Sequence, residues 1–211
     1  MSEAPPGLRA RKKQQTRAHI SEQATRLFLE RGFDNVTIAD VAAAAQVAKM
    51  TVTNYFPRKE DLALDLQEAF VQGPAAAVRD RAVGESALAA VRRSLLIAIA
   101  AHDPVIGFSG PAFARMIAAS SALTARVREF HDQRERALAR ALAEETGAAP
   151  GAIGPRVAAV QLGGVLRLLF DEILWRTLDG HPDEEIARVV SAQAREAFTL
   201  LEPALQNYAI R

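Results

Sequence analysis

Between residues 48 and 56 the sequence reads AKMTVTNYF, and in it Lys49, Met50, Thr51, Thr53, Asn54 and Tyr55 set donors, acceptors and apolar atoms side by side. These are the group types that read base edges in a major groove and meet phosphate oxygens. Val52 and Phe56 lie four residues apart, so a helix over 48–55 anchored through them leaves the other six residues for its outer faces. Arg11, Lys12, Lys13 and Arg17 follow Arg9 in an acid-free run. Such a run reaches phosphates or a minor groove from an arm.

The remaining chemistry is sparse. The stretch GFSGP lacks the GxSxG spacing of a serine hydrolase and follows no strand pattern. His19, His102, His131 and His181 never fall at a metal-ligand spacing. With no cysteine there is no disulfide, thiolate metal site or cysteine nucleophile, and no glycine-rich loop follows a strand pattern. The expectation is a protein that is not an enzyme, uses no cofactor or metal and has no membrane partner, since charged residues interrupt every apolar run. No apolar stretch adjoins the N-terminal basic residues, so no secretory signal is read and a cytoplasmic protein is expected.

The net charge of +1 hides an asymmetry. Residues 1–60 hold ten Lys or Arg and six acids, 10 − 6 = +4, and the rest hold sixteen against nineteen, 16 − 19 = −3. Phosphate contacts belong in the first third.

The elements that must position these residues are helical throughout. Ser2, Pro5, Pro6 and Gly7 predict a flexible tail over 1–8. Ala18, Ile20, Ala24, Leu27 and Phe28 recur at helical steps and predict a first helix over 16–31, stopped at Gly32. Thr37, three residues before Asp40, starts a second helix ending near Ala45, and Gln46 and Val47 turn into the third. Phe56-Pro57 ends that helix. A fourth opens at Arg58 to Asp61, with Leu62, Leu64, Leu66, Ala69 and Phe70 on its apolar face. Longer helices are predicted over 75–102, 111–119, 122–146, 153–178 and 183–207, with turn-rich joints between them and no strand.

Residues 16–64, through ATRLFLERGFDNVT, IADVAAAAQV and the closing YFPRKEDL, resemble the DNA-binding domain of the tetracycline-repressor (TetR) family. The resemblance implies an all-α protein with an N-terminal three-helix helix-turn-helix domain, 9–58, and a C-terminal helical ligand-binding and dimerisation domain, 59–211. It also implies that Thr37 and Lys59 meet phosphates. One departure stands out: many members carry an aromatic residue three before the equivalent of Phe56, where this chain has Thr53, leaving Tyr55 as the nearest aromatic.

In the family the C-terminal helices enclose a ligand and the last two build a dimer interface. AVQLGGVLRLLFDEILWRTL, with Gly163 and Gly164, and a last helix bearing Ile186, Val189, Val190, Ala194, Ala197, Leu200 and Leu201 are compatible with both. Candidate ligand contacts are His102, Phe108, Phe113, Met116, Phe130, His131, Arg134, Gln161, Arg167, Phe170 and Trp175. Arg134 and Arg167 are either paired, on the surface, or an anion clamp. The expected function is a ligand-responsive repressor that binds a pseudo-palindromic double-stranded operator as a homodimer and is released by a small-molecule effector, with residues 62–70 coupling the two halves. An activator, an architectural DNA-binding protein without ligand, and a helical protein-binding adaptor remain as alternatives.

Overall fold

The computed structural model describes residues 7–211. Among them are ten α-helices, one 3-10 turn and no strand. The helices are α1 (Leu8–Arg31), α2 (Ile38–Ala44), α3 (Lys49–Tyr55), α4 (Glu60–Ala63), α5 (Gln67–Arg79), α6 (Ala87–Ala100), α7 (Pro111–Ala119), α8 (Ser121–Thr146), α9 (Ile153–Leu178) and α10 (Asp183–Leu205). The chain divides into two compact units, one comprising the stretch up to Asp65 with Met116–Leu123, the other Leu66–Arg115 with Thr124–Arg211.

In the first unit α1 buries Ile20, Ala24, Leu27 and Phe28 along one stripe, while Ala18, expected on that stripe, is exposed. The helix starts at Leu8 and not at Thr16, so Arg11, Lys12 and Lys13 are exposed on its first turns and do not form an arm ahead of it. The run LRARKKQQ over 8–15 consists of good helix formers without Gly or Pro and carries it there. Residues 1–6 of the expected tail lie outside the described residues. At α2 a capping box closes the N-terminus: the Asp40 amide donates to Thr37 Oγ1 at 3.2 Å, and the Thr37 amide donates to Asp40 Oδ2 at 2.8 Å. Val41, Ala42 and Ala45 of this segment face the core, as do Val52 and Phe56 at and beyond α3.

The expected fourth helix is broken. Leu64 leaves the helical region at φ −107°, ψ 52°, and α5 begins only at Gln67. The break is held by tertiary bonds within the first unit: Ser21 Oγ donates to Asp65 Oδ2 at 2.6 Å and to the Leu62 carbonyl at 3.3 Å. Leu66 and Ala69, placed on a buried face by the sequence pattern, are exposed.

The second unit departs from expectation at two further points. Pro74 lies inside α5 and is not a boundary, so the helix gives up the bond Pro74 would have donated one turn back. The expected helix over 75–102 is divided by residues 80–86, where Gly84 takes φ 82° and Ser86 caps α6 by accepting the Ala89 amide at 3.3 Å. Beyond α6, Pro104–Ile106 form the 3-10 turn, and Gly107 follows in the left-handed region. A Cβ on Gly107 would come within 3.1 Å of Ile173 Cγ2, so this turn needs glycine for conformation and for space. Helices α8 to α10 and α6 supply the core, through residues such as Leu138, Leu142, Leu162, Ile173, Ile186, Val190, Ala194 and Phe198.

Ile186, Val190 and Ala194, considered available for a partner, are therefore buried within the chain's own core. Leu200 at 76% exposure remains outward on α10. On α9 an apolar stripe of Ile153, Val157, Val160, Leu168 and Trp175 is exposed at successive steps of four, three, eight and seven residues, with Gly164 opening on the same side. Gly163 instead faces Glu135 of α8.

Candidate functional site

Helices α2 and α3 meet through a turn at Gln46, which takes φ 54° although it is not glycine. The Gln46 amide donates to the Ala43 carbonyl at 3.2 Å and the Val47 amide to the Ala42 carbonyl at 3.0 Å, which closes the end of α2. With Val52 and Phe56 fully buried, the rest of α3 is fixed outward. Lys49, Met50 and Asn54 are exposed, Met50 at 70%, while Thr51, Thr53 and Tyr55 are half-buried. Thr53 Oγ1 donates back to the Met50 carbonyl at 3.1 Å, so its hydroxyl is partly engaged on its own helix.

Three expected phosphate contacts have partners inside the unit. The Thr37 hydroxyl donates to Asp40 Oδ2 at 2.6 Å and accepts from the Asp40 amide. These bonds hold the Asp40 carboxyl below its ordinary pKa, the Thr37 hydroxyl being the larger cause. Lys59 Nζ lies 4.3 Å from the centre of the Phe33 ring. Arg17 donates to the Tyr55 carbonyl at 2.9 Å and stacks over the Phe56 ring at 4.2 Å. Its guanidinium positions α3, a role the charge run did not signal.

A cavity of about 280 Å³ lies within the second unit. Its walls include Phe70, Val91, Leu95, Val105, Ile106, Leu166, Phe170 and Ile173, with Arg134, Ser94 and Asp103 as polar groups. Of the candidate ligand contacts, Arg134 and Phe170 line it. His131 and Phe130 sit behind that wall: the His131 ring packs edge-on to Phe70 at 5.0 Å and to Phe170 at 5.2 Å, and Phe130 lies 6.3 Å from Phe70.

The other candidates fall elsewhere. Met116 is buried in the first unit, and Arg167 and Trp175 are exposed on α9. His102 stacks on buried Phe108 at 5.2 Å, Phe113 is half-buried on α7, and Gln161 lines a separate groove beside Ile153, Val157 and Val160. Phe70 and the 3-10 residues Val105 and Ile106 were missed as wall residues, because what unites them is a tertiary meeting of α5, α6 and the turn that no local spacing records.

Burial and the cationic Arg134 beside it push His131 down to about 3, and burial followed by the charge of Arg167 pulls Arg134 down to about 10. The imidazole is neutral and the guanidinium charged at neutral pH. No cluster of three His, Asp or Glu able to hold a metal occurs among the described residues, and no single helix there is long and apolar enough to cross a membrane.

Residues 20–66 match the bacterial regulatory proteins of the tetR family. The HTH-type transcriptional regulator TcmR of Streptomyces glaucescens is 36% identical over 86 residues, 41% of this chain and 38% of that protein. The HTH-type transcriptional repressor DhaR of Mycobacterium sp. (strain GP1) is 43% identical over 44 residues, 21% of this chain and 22% of that one. The matches thus span under two fifths of these relatives' lengths. Two solved structures are similar over nearly the whole chain. A TetR-family regulator from Syntrophomonas wolfei has a TM-score of 0.56 at 19% identity, covering 88% of this chain and 96% of its own. A SmeT–triclosan complex has a TM-score of 0.57 at 16% identity, covering 94% and 95%. These likenesses show the fold, an N-terminal helix-turn-helix domain followed by a helical domain. Residues 20–66 thus carry the signature of the tetR family of bacterial regulatory proteins, and the chain shares the fold of solved TetR-family regulators along nearly its whole length.

Proposed function

We propose that this regulator is a cytoplasmic repressor that binds a pseudo-palindromic operator as a homodimer and releases it when a small molecule occupies the cavity of the second unit. The observation that carries the reading is the orientation of α3: Val52 and Phe56 lock its inner side, and Lys49, Met50 and Asn54 are left for a major groove. Thr51, Thr53 and Tyr55 flank that surface, and Arg11, Lys12 and Lys13 on α1 add exposed charge for phosphates. In this reading Thr37, whose hydroxyl is engaged by Asp40, contributes to phosphate binding through its backbone position, and Lys59 through its ammonium charge beside Phe33.

The dimer is supported by the exposed apolar stripe on α9 with Leu200 of α10. A second copy covering it would give two recognition helices for two half-sites, about 34–36 Å apart. Ligand response is supported by the cavity, whose mostly apolar walls and few polar groups suit a small molecule. The ligand must prefer one conformation to shift the equilibrium, and the signal passes through residues 62–70, where α4 gives way to α5.

The test is footprinting on DNA selected from a random-sequence pool with the full chain. A short palindromic protected site is expected. Uniform coverage would favour an architectural protein, and no binding an adaptor; either result defeats the operator reading.

A further inference from the structure

Three arginines are buried in the second unit, and two of them are neutralised. Arg81 is 1% exposed and pairs with Glu145 at 2.6 Å while donating to the carbonyls of Val78 and Ala209. Arg126 pairs with Glu129 at 2.5 Å. Arg134 is different. At 5% exposure its hydrogen-bond partner is Nδ1 of His131, at 2.8 Å, and its Nε–H has no partner. Its guanidinium lies 4.6 Å from the centre of the Phe70 ring and lines the cavity.

The chemistry of this pair is one-sided. A guanidinium only donates, so His131 Nδ1 must accept and the ring proton must sit on Nε2. That second N–H is also buried without a partner. Of the pair, Arg134 lines the cavity and presents donors and no acceptor to it, while His131 sits behind the wall. Asp171 acts on Arg134 electrostatically, yet it lies on the exposed side of α9 and closes no ion pair with it among the described residues. Asp103, the acid on the cavity wall, has one oxygen occupied as the cap of the 3-10 turn, accepting the Val105 amide at 2.8 Å. A buried guanidinium without a carboxylate partner strongly favours a negative charge brought within hydrogen-bond reach.

We propose that the cavity binds a compact, mostly apolar carboxylate, whose carboxylate group accepts hydrogen bonds from the Arg134 guanidinium while its hydrocarbon part lies among Val91, Leu95, Ile106, Leu166 and Ile173. The size limit follows from the volume of about 280 Å³, just below the roughly 300–1,000 Å³ of drug-sized ligand sites. Arginine suits the task because its planar fork matches both carboxylate oxygens and stays charged while buried. The proposal rests on the effector-cavity reading above and adds the chemical class.

The test is calorimetric titration of the full chain with 3-phenylpropanoate and hexanoate, each against its primary amide, in low-chloride buffer near neutral pH. Each carboxylate is expected to bind about tenfold or more tightly than its amide, the difference between a charge-assisted and a neutral hydrogen bond. Arg134→Met should remain folded by circular dichroism, since it removes an unpaired buried charge, and should abolish the preference; Arg134→Lys should retain part of it. Should either variant not fold, the arginine Nε–H resonance of the wild-type chain decides: it should shift with the carboxylates and not with the amides.

Equal affinity for acid and amide, no carboxylate binding up to about 10 mM, or a preference that survives in folded Arg134→Met overturns the proposal. A carboxylate that binds without loosening operator DNA leaves this inference standing and removes the induction reading. Release of DNA by a neutral compound, independent of Arg134, does the reverse.

Discussion

Arg17 of α1 donates a hydrogen bond to the backbone carbonyl of Tyr55, the last residue of α3, at 2.9 Å. The last carbonyls of a helix have no partner within it, and a cation there also faces the negative end of the helix dipole. Arg17 thus fixes the outward helix from below, through this bond and its stacking on Phe56. Arg17→Ala is expected to destabilise the first unit by about 1–2 kcal/mol and to weaken operator binding with little change in the salt dependence. Lys12→Ala, on the exposed face of α1, should instead lower the slope of log K against log salt by about 1. Affinities measured across a salt series separate the two; a slope change for Arg17→Ala equal to that for Lys12→Ala would return Arg17 to the phosphate contacts.

The turn between α2 and α3 holds Gln46 at φ 54°. A side chain in that region costs about 1–2 kcal/mol, part of which glycine gives back through its greater chain entropy. Gln46→Gly is accordingly expected to raise stability by a few tenths to about 1 kcal/mol, and Gln46→Val to lower it, as β-branching is least tolerated there. Urea denaturation of the three proteins checks the order. If Gln46→Gly were the least stable of the three, the strain assigned to this turn would be absent.

The edges of α3 were legible in the sequence because Val52, Phe56 and Pro57 act locally, through side-chain spacing and the loss of a backbone donor. The break between α4 and α5 was not, because DLALDLQEAF is favourable to helix throughout and the interruption is enforced from α1 by Ser21 holding Asp65. Pro74 pulled the reading the other way: it signals a boundary in sequence, yet α5 continues through it. Arg134 stood out as a charge in an apolar neighbourhood, but its lack of a carboxylate partner is visible only once the helices are packed. The α9 stripe was hidden because that helix is apolar nearly all round, and only packing decides which side faces its own core.

His131 gives the protein an acid sensitivity with a definite window. Its folded pKa is depressed to about 3, from an ordinary 6.5, by burial first and by Arg134 and Arg167 next. Below pH 6.5 the unfolded chain takes up a proton that the folded chain refuses, so stability falls as pH drops, by about 1.4 kcal/mol per pH unit; above 6.5 this site contributes no pH dependence. The depressed carboxyls of Asp40 and Glu85 lose their stabilising effect only at lower pH, and Asp171, raised by burial, acts in the opposite sense, so a fall in stability between about pH 6.5 and 5 is assigned to His131. His131→Gln, whose amide oxygen still accepts from Arg134, should flatten the stability profile in that range. A profile unchanged by the substitution would mean that the imidazole protonates in the folded state.

The exposed stripe of α9 is an apolar face that a second copy of the chain would cover. Leu168 is 69% exposed among Val160, Gly164 and Trp175, and burying a leucine is worth about 1.5–3 kcal/mol. In a symmetric dimer each such residue counts twice, and a carboxylate in its place would be buried without a partner in both copies. Leu168→Glu is therefore expected to convert a dimer of the chain into monomers, seen by light scattering coupled to size exclusion. The fold of each chain should remain, since Leu168 touches solvent and not the core formed by Leu162, Leu169 and Ile173. Operator affinity should fall by far more than any single α1 lysine substitution brings about, because two half-sites are no longer engaged by one particle. A Leu168→Glu protein that stays dimeric would move the interface away from α9.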